Sequence, residues 1–454
     1  MAESMSALKS EFTERIRMQF PADVESFIAA IDSPVKPSVR IHPRKGSAES
    51  VLPDGATPVP WNADGYWMDE RPLYTTNPEF HGGCFYPQEA SSMILGHVLK
   101  NVAPNVPDEP YVLDLCAAPG GKSTLIASWL DGKGVLVANE VIRTRAWILR
   151  ENIAKWGYGN CLVTNCDAGK IGAMGAIYDL VLIDAPCSGE GMFRKDDVAR
   201  KEWSVENASM CAERQKEILN DIWDAVVDGG IIVYSTCTFN PDENERQMEW
   251  IASQFDVEFL KIPMADEWNV TTLGFDGGEG YAFHPHKVKG EGFFVCVMRK
   301  TSGSDRRRLK PGKKDTFVEA RNVTTTAIGS SFAIYQQADQ LYAIPRKHSQ
   351  QVAGIVEGLK PIWIGVPLGT AGKKEMLPAP ELPLMLDYAD SYPSVELDTD
   401  DMLRFLRGEW TYHGEMPQGW CVVKFHGRGY GFIKVIGNRV NNYWPKEWRI
   451  RMSI

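Results

Sequence analysis

Apolar and polar positions alternate in blocks between residues 111 and 298 of the chain. Six runs are almost continuously apolar, which is typical of buried strands: 111–115, 134–140, 162–167, 179–186, 230–237 and 292–300. Helical spacing lies between them at 123–130, 143–156 and 212–227, and Gly229-Gly230 is expected to end the last helix. Strands that alternate with helices predict an α/β fold with a mostly parallel sheet covered on both faces.

The two flanks of this block have different patterns. Residues 1–35 carry apolar side chains at helical spacing, 37–46 resemble a short strand, and 84–100 resemble a helix introduced by a turn. After a polar, basic segment, short β-like pieces rich in proline and glycine predict a smaller α+β domain. We therefore predict an N-terminal α+β region at 1–105, a central domain at 106–300, a linker at 301–316 and a C-terminal domain at 317–454.

Composition narrows the class of protein. A chain of 454 residues is too long for one core, and 44% hydrophobic residues is typical of globular proteins. Neither a signal peptide nor an apolar run of about 18 residues is evident, so we expect a cytoplasmic protein without a membrane span. The nine cysteines do not predict disulfides, and the loose pair Cys161 and Cys166 does not predict a metal site.

The net charge of −10 disfavours a nucleic-acid partner, but the charge is segregated along the chain. Residues 299–314 contain eight basic side chains and one acid, and 420–454 contain seven and one. Residues 377–401 carry seven acids and no base. Because local patches steer ligands more than the total charge does, a nucleic-acid partner remains open.

A glycine turn follows the first strand of the α/β block and precedes a helix. Turns of this kind are where α/β folds bind a cofactor. Gly121-Lys122-Ser123 copies the end of a triphosphate-binding loop, but the first glycine of that motif would have to stand at Cys116. The candidate cofactor residues of the turn are Cys116, Ala117, Ala118, Pro119, Gly120, Gly121 and Lys122.

Three later strands end in the acids Glu140, Asp167 and Asp184. Glu140 follows Gly120 by 20 residues, the spacing at which an acid reaches ribose hydroxyls. A single acid at a strand end is more often a helix cap. Three of them beside a glycine turn favour a ribose and an adenine amino group as ligands. Since G-x-G-x-x-G is absent, an adenosyl cofactor without pyrophosphate matches better than NAD.

Two cysteines follow neighbouring strands at the same edge. Cys187 lies in a loop that begins at Asp184, and Cys237 follows the fifth strand. A free cysteine is usually a small buried hydrophobe. Both of these lie in polar loops at the ligand edge of the sheet, so we interpret both as candidate functional residues.

Five segments together resemble the RNA cytosine-5 methyltransferase family: DLCAAPGGKS, DAPCSGEGMFRKD, YSTCTFNPDENE, YPQEASSM and HPHKVKGEGFFV. The resemblance extends over nearly the whole chain, and the ending GFIKVIGNRVNNYWPKEW resembles the RNA-binding extension of the bacterial 16S ribosomal RNA methyltransferase F branch. It implies a Rossmann-like sheet that binds S-adenosylmethionine, an N-terminal RNA-binding region and a C-terminal domain of the PUA-like type.

The resemblance also implies roles for individual residues. S-adenosylmethionine contacts are expected from 116–122, Glu140, Asp167 and Asp184. Cys237 would be the nucleophile that adds to carbon 6 of cytosine and activates carbon 5. Cys187 would assist product release, and Asp184 would stabilise charge at ring nitrogen 3. The chain departs from the family at Cys116, where a small residue such as alanine is common.

The target base must be unpaired or turned out of its stack, which predicts single-stranded or loop RNA as the substrate. The resemblance to the F branch implies that this RNA is 16S rRNA or the small ribosomal subunit. Candidate RNA contacts are Arg40, Arg44, Lys45, Arg194, Lys195 and the basic tail, although one basic run alone is typical of a solvated face. Three alternatives stay open: a transfer RNA substrate, a DNA-type enzyme with Cys187 as nucleophile, and a non-catalytic RNA-binding or assembly protein.

Overall fold

The computed structural model describes residues 5–309, 317–320, 325–372, 375–411 and 416–452, so part of the predicted linker at 301–316 lies outside the described residues. The N-terminal region combines helices with a small antiparallel sheet of order β2-β3-β1-β4. Its elements are α1 (Ser10–Gln19), α2 (Val24–Ile31), β1 (Ser38–Ile41), α3 (Ala48–Val51), β2 (Thr57–Pro58), β3 (Gly65–Trp67), α4 (Pro78–His81), β4 (Phe85–Pro87) and α5 (Ile94–Val102).

The central region is a mostly parallel sheet with helices between its strands, so the predicted α/β fold class is confirmed. Its elements are β5 (Tyr111–Asp114), α6 (Gly121–Leu130), β6 (Val135–Asn139), α7 (Arg143–Trp156), β7 (Cys161–Thr164), α8 (Ala168–Gly172), β8 (Tyr178–Asp184), α9 (Asp197–Glu202), α10 (Val205–Ile222), β9 (Val226–Thr236), α11 (Glu245–Gln254), β10 (Val257–Phe259), β11 (Thr271–Phe275), β12 (Gly278–Phe283) and β13 (Phe293–Lys300).

The remaining elements are β14 (Val318–Glu319), β15 (Phe332–Gln337), β16 (Gln340–Pro345), α12 (Ser349–Leu359), β17 (Trp363–Ile364), β18 (Val366–Thr370), β19 (Leu377–Pro378), β20 (Ser394–Glu396), α13 (Thr399–Arg407), β21 (Gly419–Phe425), β22 (Arg428–Ile436) and β23 (Arg439–Asn442). Single 3-10 turns lie at Tyr74–Thr76, Ser91–Met93, Ala103–Asn105, Glu190–Met192, Trp223–Ala225, Asp266–Trp268, Arg346–His348, Leu382–Leu384 and Lys446–Trp448. None of the described helices is long and apolar enough to cross a membrane.

The strand order of the central sheet is β11-β12-β13-β9-β8-β5-β6-β7-β17. The strands from β9 to β7 run parallel, whereas β13 and β12 add antiparallel beyond β9. The chain order reverses at β5, because β6 lies on one side of it and β8 on the other. A reversal of this kind opens a crevice at the carboxyl ends of the strands, where α/β folds bind ligands.

One predicted helix boundary is wrong. The helix predicted at 212–227 begins at Val205 and ends at Ile222, and Gly229-Gly230 lies inside β9 instead of ending the helix. Val226 and Val227 already have strand geometry and are buried, so they belong to the sheet core. A register shift in the pairing of β9 with β8 accommodates the glycine pair, and Gly229 there adopts φ +72°.

The C-terminal segment forms two further sheets and also completes the central one. A five-stranded sheet has the order β14-β15-β16-β18-β19, and a four-stranded sheet has the order β20-β21-β22-β23. β17 pairs antiparallel with β7, joining Trp363 to Val163 and Ile364 to Leu162. The helix α12 is buried in the same apolar cluster as β5 and β8. This part of the segment therefore packs on the central sheet.

Two of the predicted RNA contacts are buried, so this prediction is wrong for Arg40 and Lys45. The Arg40 side chain donates hydrogen bonds to Gln88 (2.8 Å) and Thr124 (2.6 Å). The Lys45 ammonium donates to the carbonyls of Lys155 (2.6 Å), Leu384 (2.7 Å) and Gly82 (3.4 Å), which belong to three different regions. A buried cation must be matched by acceptors, and these two hold the regions together.

Candidate active site

The site lies at the carboxyl edge of the central sheet, where β5, β8 and β9 end side by side. The N-terminal helices hold the loop after β8 from outside. Phe12 packs on Phe193 with ring centres 5.0 Å apart, and Arg15 forms an ion pair of 2.6 Å with the buried Glu190. The backbone N–H of Gly191 donates to the carbonyl of Cys237 (2.9 Å), which joins this loop to the loop after β9.

The glycine turn is fixed by contacts with α7. Gly120 adopts φ +120°, and a Cβ atom there would lie 3.3 Å from Asn152 and from Leu149. Asn152 donates to the carbonyl of Pro119 (2.7 Å), and Arg145 donates to that of Ala118 (2.8 Å). The turn leads directly into the N-terminus of α6, whose free N–H groups favour a polar or negatively charged ligand group.

Asp114, the last residue of β5, was not among the predicted site residues. It is fully buried below the turn. Its Oδ2 accepts a hydrogen bond from Ser123 (2.6 Å), whereas Oδ1 is buried and has no hydrogen-bond partner among the described residues. Burial raises the pKa of this carboxyl to about 7. The signal in the sequence is an acid at the end of an otherwise apolar strand.

The three strand-end acids differ in their surroundings. Glu140 is buried at the end of β6 and accepts from the N–H of Ile142 (2.8 Å). Asp167 is exposed and caps α8 by accepting from the N–H of Lys170 (2.8 Å). Asp184 accepts from the Lys122 ammonium (2.7 Å) and from the Ser235 hydroxyl (2.8 Å). The glycine turn, the unpartnered Asp114 oxygen and these carboxylates together fit an adenosyl cofactor.

The structure brings Cys187 and Cys237 together. Their sulfur atoms are 3.1 Å apart, and neither cysteine is in a disulfide. A hydrogen bond between a thiol and a thiolate accounts for this contact. The Lys122–Asp184 pair lies near enough that the charges of both residues act on the Cys237 sulfur.

The two thiols have opposite pKa shifts. A hydrogen bond from Cys187 lowers the pKa of Cys237. Burial and the Asp184 carboxylate oppose this shift, and the Lys122 and Lys195 ammonium groups add to it. The same hydrogen bond, with burial and the nearby Glu243 carboxylate, raises the pKa of Cys187 well above its ordinary range. Of the two thiols, Cys237 is therefore the one that ionises at lower pH, and Cys187 keeps its proton to higher pH.

Glu243 supports the loop that carries Cys187, a role the sequence did not reveal. It is fully buried and accepts from the N–H of Ser188 (2.8 Å), the Ser188 hydroxyl and the Gln215 amide (3.0 Å). Burial raises its pKa to about 7. The acid-rich run after Cys237 was the available signal, but it did not distinguish this glutamate from the neighbouring Asp242 and Glu245.

The remaining predicted RNA contacts have mixed surroundings. Arg194 donates to the carbonyls of Gly290 and Pro34 (both 2.8 Å), whereas Lys195 and Arg44 are exposed. In the basic tail, Lys424 forms an ion pair with Asp390 of the acidic segment. Among the described residues, no group of three or more histidine, cysteine or acidic side chains is placed to hold a metal ion.

Three family models match the chain. The model of 16S rRNA methyltransferase RsmB/F matches residues 102–299, that of the N-terminal domain of 16S rRNA methyltransferase RsmF matches 8–90, and that of the methyltransferase RsmF PUA domain matches 392–450. A crystal structure of a methyltransferase homolog protein from Pyrococcus horikoshii superposes with a TM-score of 0.54 and 28% identity, over 64% of this chain and 95% of that one.

Full-length relatives agree with these matches. Ribosomal RNA small subunit methyltransferase F of Shewanella piezotolerans is 31% identical, over 98% of both chains. The protein of the same name from Klebsiella pneumoniae is also 31% identical, over 98% of both chains. The resemblance stated from the motifs is thus confirmed, and S-adenosylmethionine is the cofactor of this methyltransferase. The chain belongs to the 16S rRNA methyltransferase F family.

Proposed function

We propose that this protein methylates carbon 5 of a cytosine in 16S rRNA, through a covalent bond between Cys237 and carbon 6 of the base. The observation that carries the proposal is the pair of sulfurs 3.1 Å apart, whose pKa values shift in opposite directions, near the Lys122–Asp184 pair that follows the glycine turn. The names of the relatives support the choice of 16S rRNA, and the PUA match supports RNA binding.

The cofactor would be held by the glycine turn and by the strand-end acids. We propose contacts from Cys116 through Lys122, with Glu140 at the ribose, Asp167 at the adenine and Asp184 near the reacting end. Bound S-adenosylmethionine supplies a methyl group on a positively charged sulfur. Asp114 lies below the turn and its free Oδ1 can accept one further hydrogen bond.

The chain's own groups account for the steps on the base. The Cys237 thiolate adds to carbon 6, and electron density moves to carbon 5 and nitrogen 3. A proton from solvent is taken up at nitrogen 3, which neutralises the ring, and it returns to solvent when the bond to Cys237 breaks. Asp184 would stabilise the intermediate by accepting a hydrogen bond from that N–H. Once carbon 5 carries the methyl group, Cys187 assists removal of the carbon 5 proton, and the bond to Cys237 breaks.

The regions on either side of the sheet would bind the RNA. We propose that residues 1–105 and 317–454 grip the nucleotides around the target, which must leave its stack to reach Cys237. Of the predicted basic contacts, Arg44 and Lys195 remain in this role because they are exposed. Since rRNA is modified where ribosomes assemble, we place the protein in the cytoplasm.

Two cysteine variants test the proposal. Small ribosomal subunits or 16S rRNA from cells lacking this gene would be incubated with labelled S-adenosylmethionine, and 5-methylcytosine mapped by bisulfite sequencing. We expect Cys237→Ala to lose methylation entirely, and Cys187→Ala to leave enzyme covalently attached to RNA, visible as a slow band on a denaturing gel. An adduct in Cys237→Ala would reverse the roles to those of a DNA-type enzyme. Methylation of transfer RNA but not of 16S rRNA would show that transfer RNA is the substrate instead.

A further inference from the structure

A second cavity lies beside the active-site loops. Its volume is about 260 Å³, just below the roughly 300–1,000 Å³ of pockets for drug-sized ligands, which suits a single nucleobase. Four separate segments of the chain form it. The charged residues that line it are Lys36, Glu89, Arg194, Lys289 and Glu291.

This cavity adjoins the reacting cysteine through the backbone. Glu291 precedes Gly292, which packs so closely on Gly191 that a Cβ atom at Gly191 would lie 2.6 Å from the Gly292 carbonyl oxygen. Gly191 in turn donates to the Cys237 carbonyl (2.9 Å). The Lys195 ammonium lowers the pKa of both Cys237 and Glu291, although burial still leaves that of Glu291 raised. A nucleobase bound in the cavity would thus lie near the target cytosine bound at Cys237.

The Glu291 carboxylate lacks hydrogen-bond donors. It is 97% buried, and neither of its oxygens accepts a hydrogen bond from the described residues. Its contact with Arg194 is an ion pair at 3.5 Å, because the Arg194 guanidinium already donates to Gly290, Pro34 and Ser33. An unmatched buried carboxylate is costly, so its presence in a cavity wall indicates a ligand that supplies donors.

Two cations stand together at the same cavity. Burial lowers the pKa of Lys289, and the neighbouring Lys36 ammonium lowers it further. The two cations therefore lie close together. Lys36 pairs with the exposed Asp69 (2.7 Å), and Lys289 lies over the ring of Trp67 (4.4 Å). Lysine pairs of this kind bind RNA phosphates, while a buried carboxylate reads a base.

We propose that this cavity receives a nucleotide flanking the target cytosine, with a guanine base bound to Glu291 and its phosphate at Lys36 and Lys289. Guanine is the base whose Watson–Crick edge offers two adjacent N–H donors, which match the two free carboxylate oxygens. Adenine, cytosine and uracil would each place an acceptor atom against the carboxylate. This inference rests on the proposed RNA methylation and assigns part of its sequence preference.

Inosine substitution tests the proposal, because inosine lacks the N2 amino group of guanosine. Synthetic RNAs that carry the mapped target cytosine would have each nearby guanosine replaced singly by inosine. For the wild-type enzyme we expect kcat/KM to fall roughly 10-fold or more at one position, the effect of losing a hydrogen bond to a charged group. Glu291→Gln should lower kcat/KM on the guanosine RNA similarly and no longer distinguish inosine from guanosine at that position.

Matched variants separate this outcome from loss of structure. Glu381→Gln removes another buried carboxylate paired with an arginine (2.7 Å from Arg150) and should keep the discrimination. Should Glu291→Gln fail to fold, Lys289→Met would be measured instead. We expect this variant to have a higher KM for the RNA, and its RNA affinity to depend less steeply on salt concentration, by about one phosphate contact. Equal rates on every inosine RNA, or discrimination retained in Glu291→Gln, would overturn the guanine site. Failure of the wild type to methylate any RNA would overturn the proposed function instead.

Discussion

The loops after β8 and β9 each present a thiol to the same space, yet their surroundings shift the two thiols in opposite directions. Cys237 has the ammonium groups of Lys122 and Lys195 near it together with the Asp184 carboxylate, whereas Cys187 has the carboxylate of Glu243 near it. With the sulfurs 3.1 Å apart, the two thiols titrate as a pair, and the hydrogen bond between them is the largest cause of both shifts. Two residues of the same type thus differ in pKa because of their contact with each other, their burial and the charges around the loops.

The largest expected effect comes from removing the cation beside Cys237. Lys122→Met should lower the methylation rate at pH 7 roughly 100-fold or more, because a positioned charge in an active site typically contributes 100- to 1,000-fold. It should also raise the pKa of Cys237, so the rising limb of the pH–rate profile moves to higher pH. Rates would be measured at saturating S-adenosylmethionine from pH 6 to 10.

An exposed lysine provides the control for this variant. Lys261→Met removes an ammonium that is 80% exposed and pairs with Glu279, so both rate and pH profile should match the wild type. If Lys122→Met loses rate but keeps the wild-type pH limb, the lysine acts on cofactor binding and not on the Cys237 sulfur. The claim that the Lys122 charge lowers the pKa of Cys237 would then be wrong.

A second, smaller effect concerns the hydrogen bond between the sulfurs. Cys187→Ala removes the donor that lowers the pKa of Cys237, so alkylation of Cys237 by iodoacetamide should require a higher pH. Cys187→Ser keeps a donor and should restore most of the shift. Peptide mass spectrometry at each pH would follow the two sites, and in the wild type Cys237 should react at lower pH than Cys187. Equal pH midpoints in all three proteins would contradict the hydrogen bond between the sulfurs as a cause of the shift.

Much of the fold could be predicted because parallel strands buried on both faces form continuous apolar runs. The runs predicted at 111–115 and 179–186 are the strands Tyr111–Asp114 and Tyr178–Asp184, and the helix predicted at 143–156 has those bounds. The end of α10 could not be predicted, since Val226 and Val227 continue the apolar pattern of the helix while belonging to β9. β17 has two residues, too few to show any periodicity.

The active site likewise has features that follow from the sequence and features that do not. Turn and loop positions follow from the sequence, because a strand end fixes where the next loop begins, and the two cysteines therefore come together as expected. Burial depends on distant segments and does not follow. Arg40 and Lys45 read as surface cations but are covered by α6 and by residue 384, which are far away along the chain. Asp114 and Glu291 have buried oxygens without a hydrogen-bond partner among the described residues. These could not be predicted for the same reason.

The smallest expected effect concerns stability. Burial raises the pKa of Glu243 to about 7 from an ordinary 4.5, so between these values the folded protein binds more protons than the unfolded chain. Its contribution to the free energy of unfolding is therefore fully present below pH 4.5 and is lost as the pH rises through 7. Glu243→Gln should remove this part of the decline, leaving a melting temperature that falls less between pH 5.5 and 8 than in the wild type.

The same variant also sharpens the comparison between the loops. Without the Glu243 carboxylate, the pKa of Cys187 should fall slightly toward its ordinary value, because the hydrogen bond with Cys237 and burial are larger causes of its shift. Alkylation of Cys187 should thus begin at somewhat lower pH while Cys237 changes little. Glu249→Gln, on the exposed face of α11, should leave both melting curves and alkylation unchanged. An equal shift at both cysteines would mean that Glu243 acts through the shape of the loops and not through its charge.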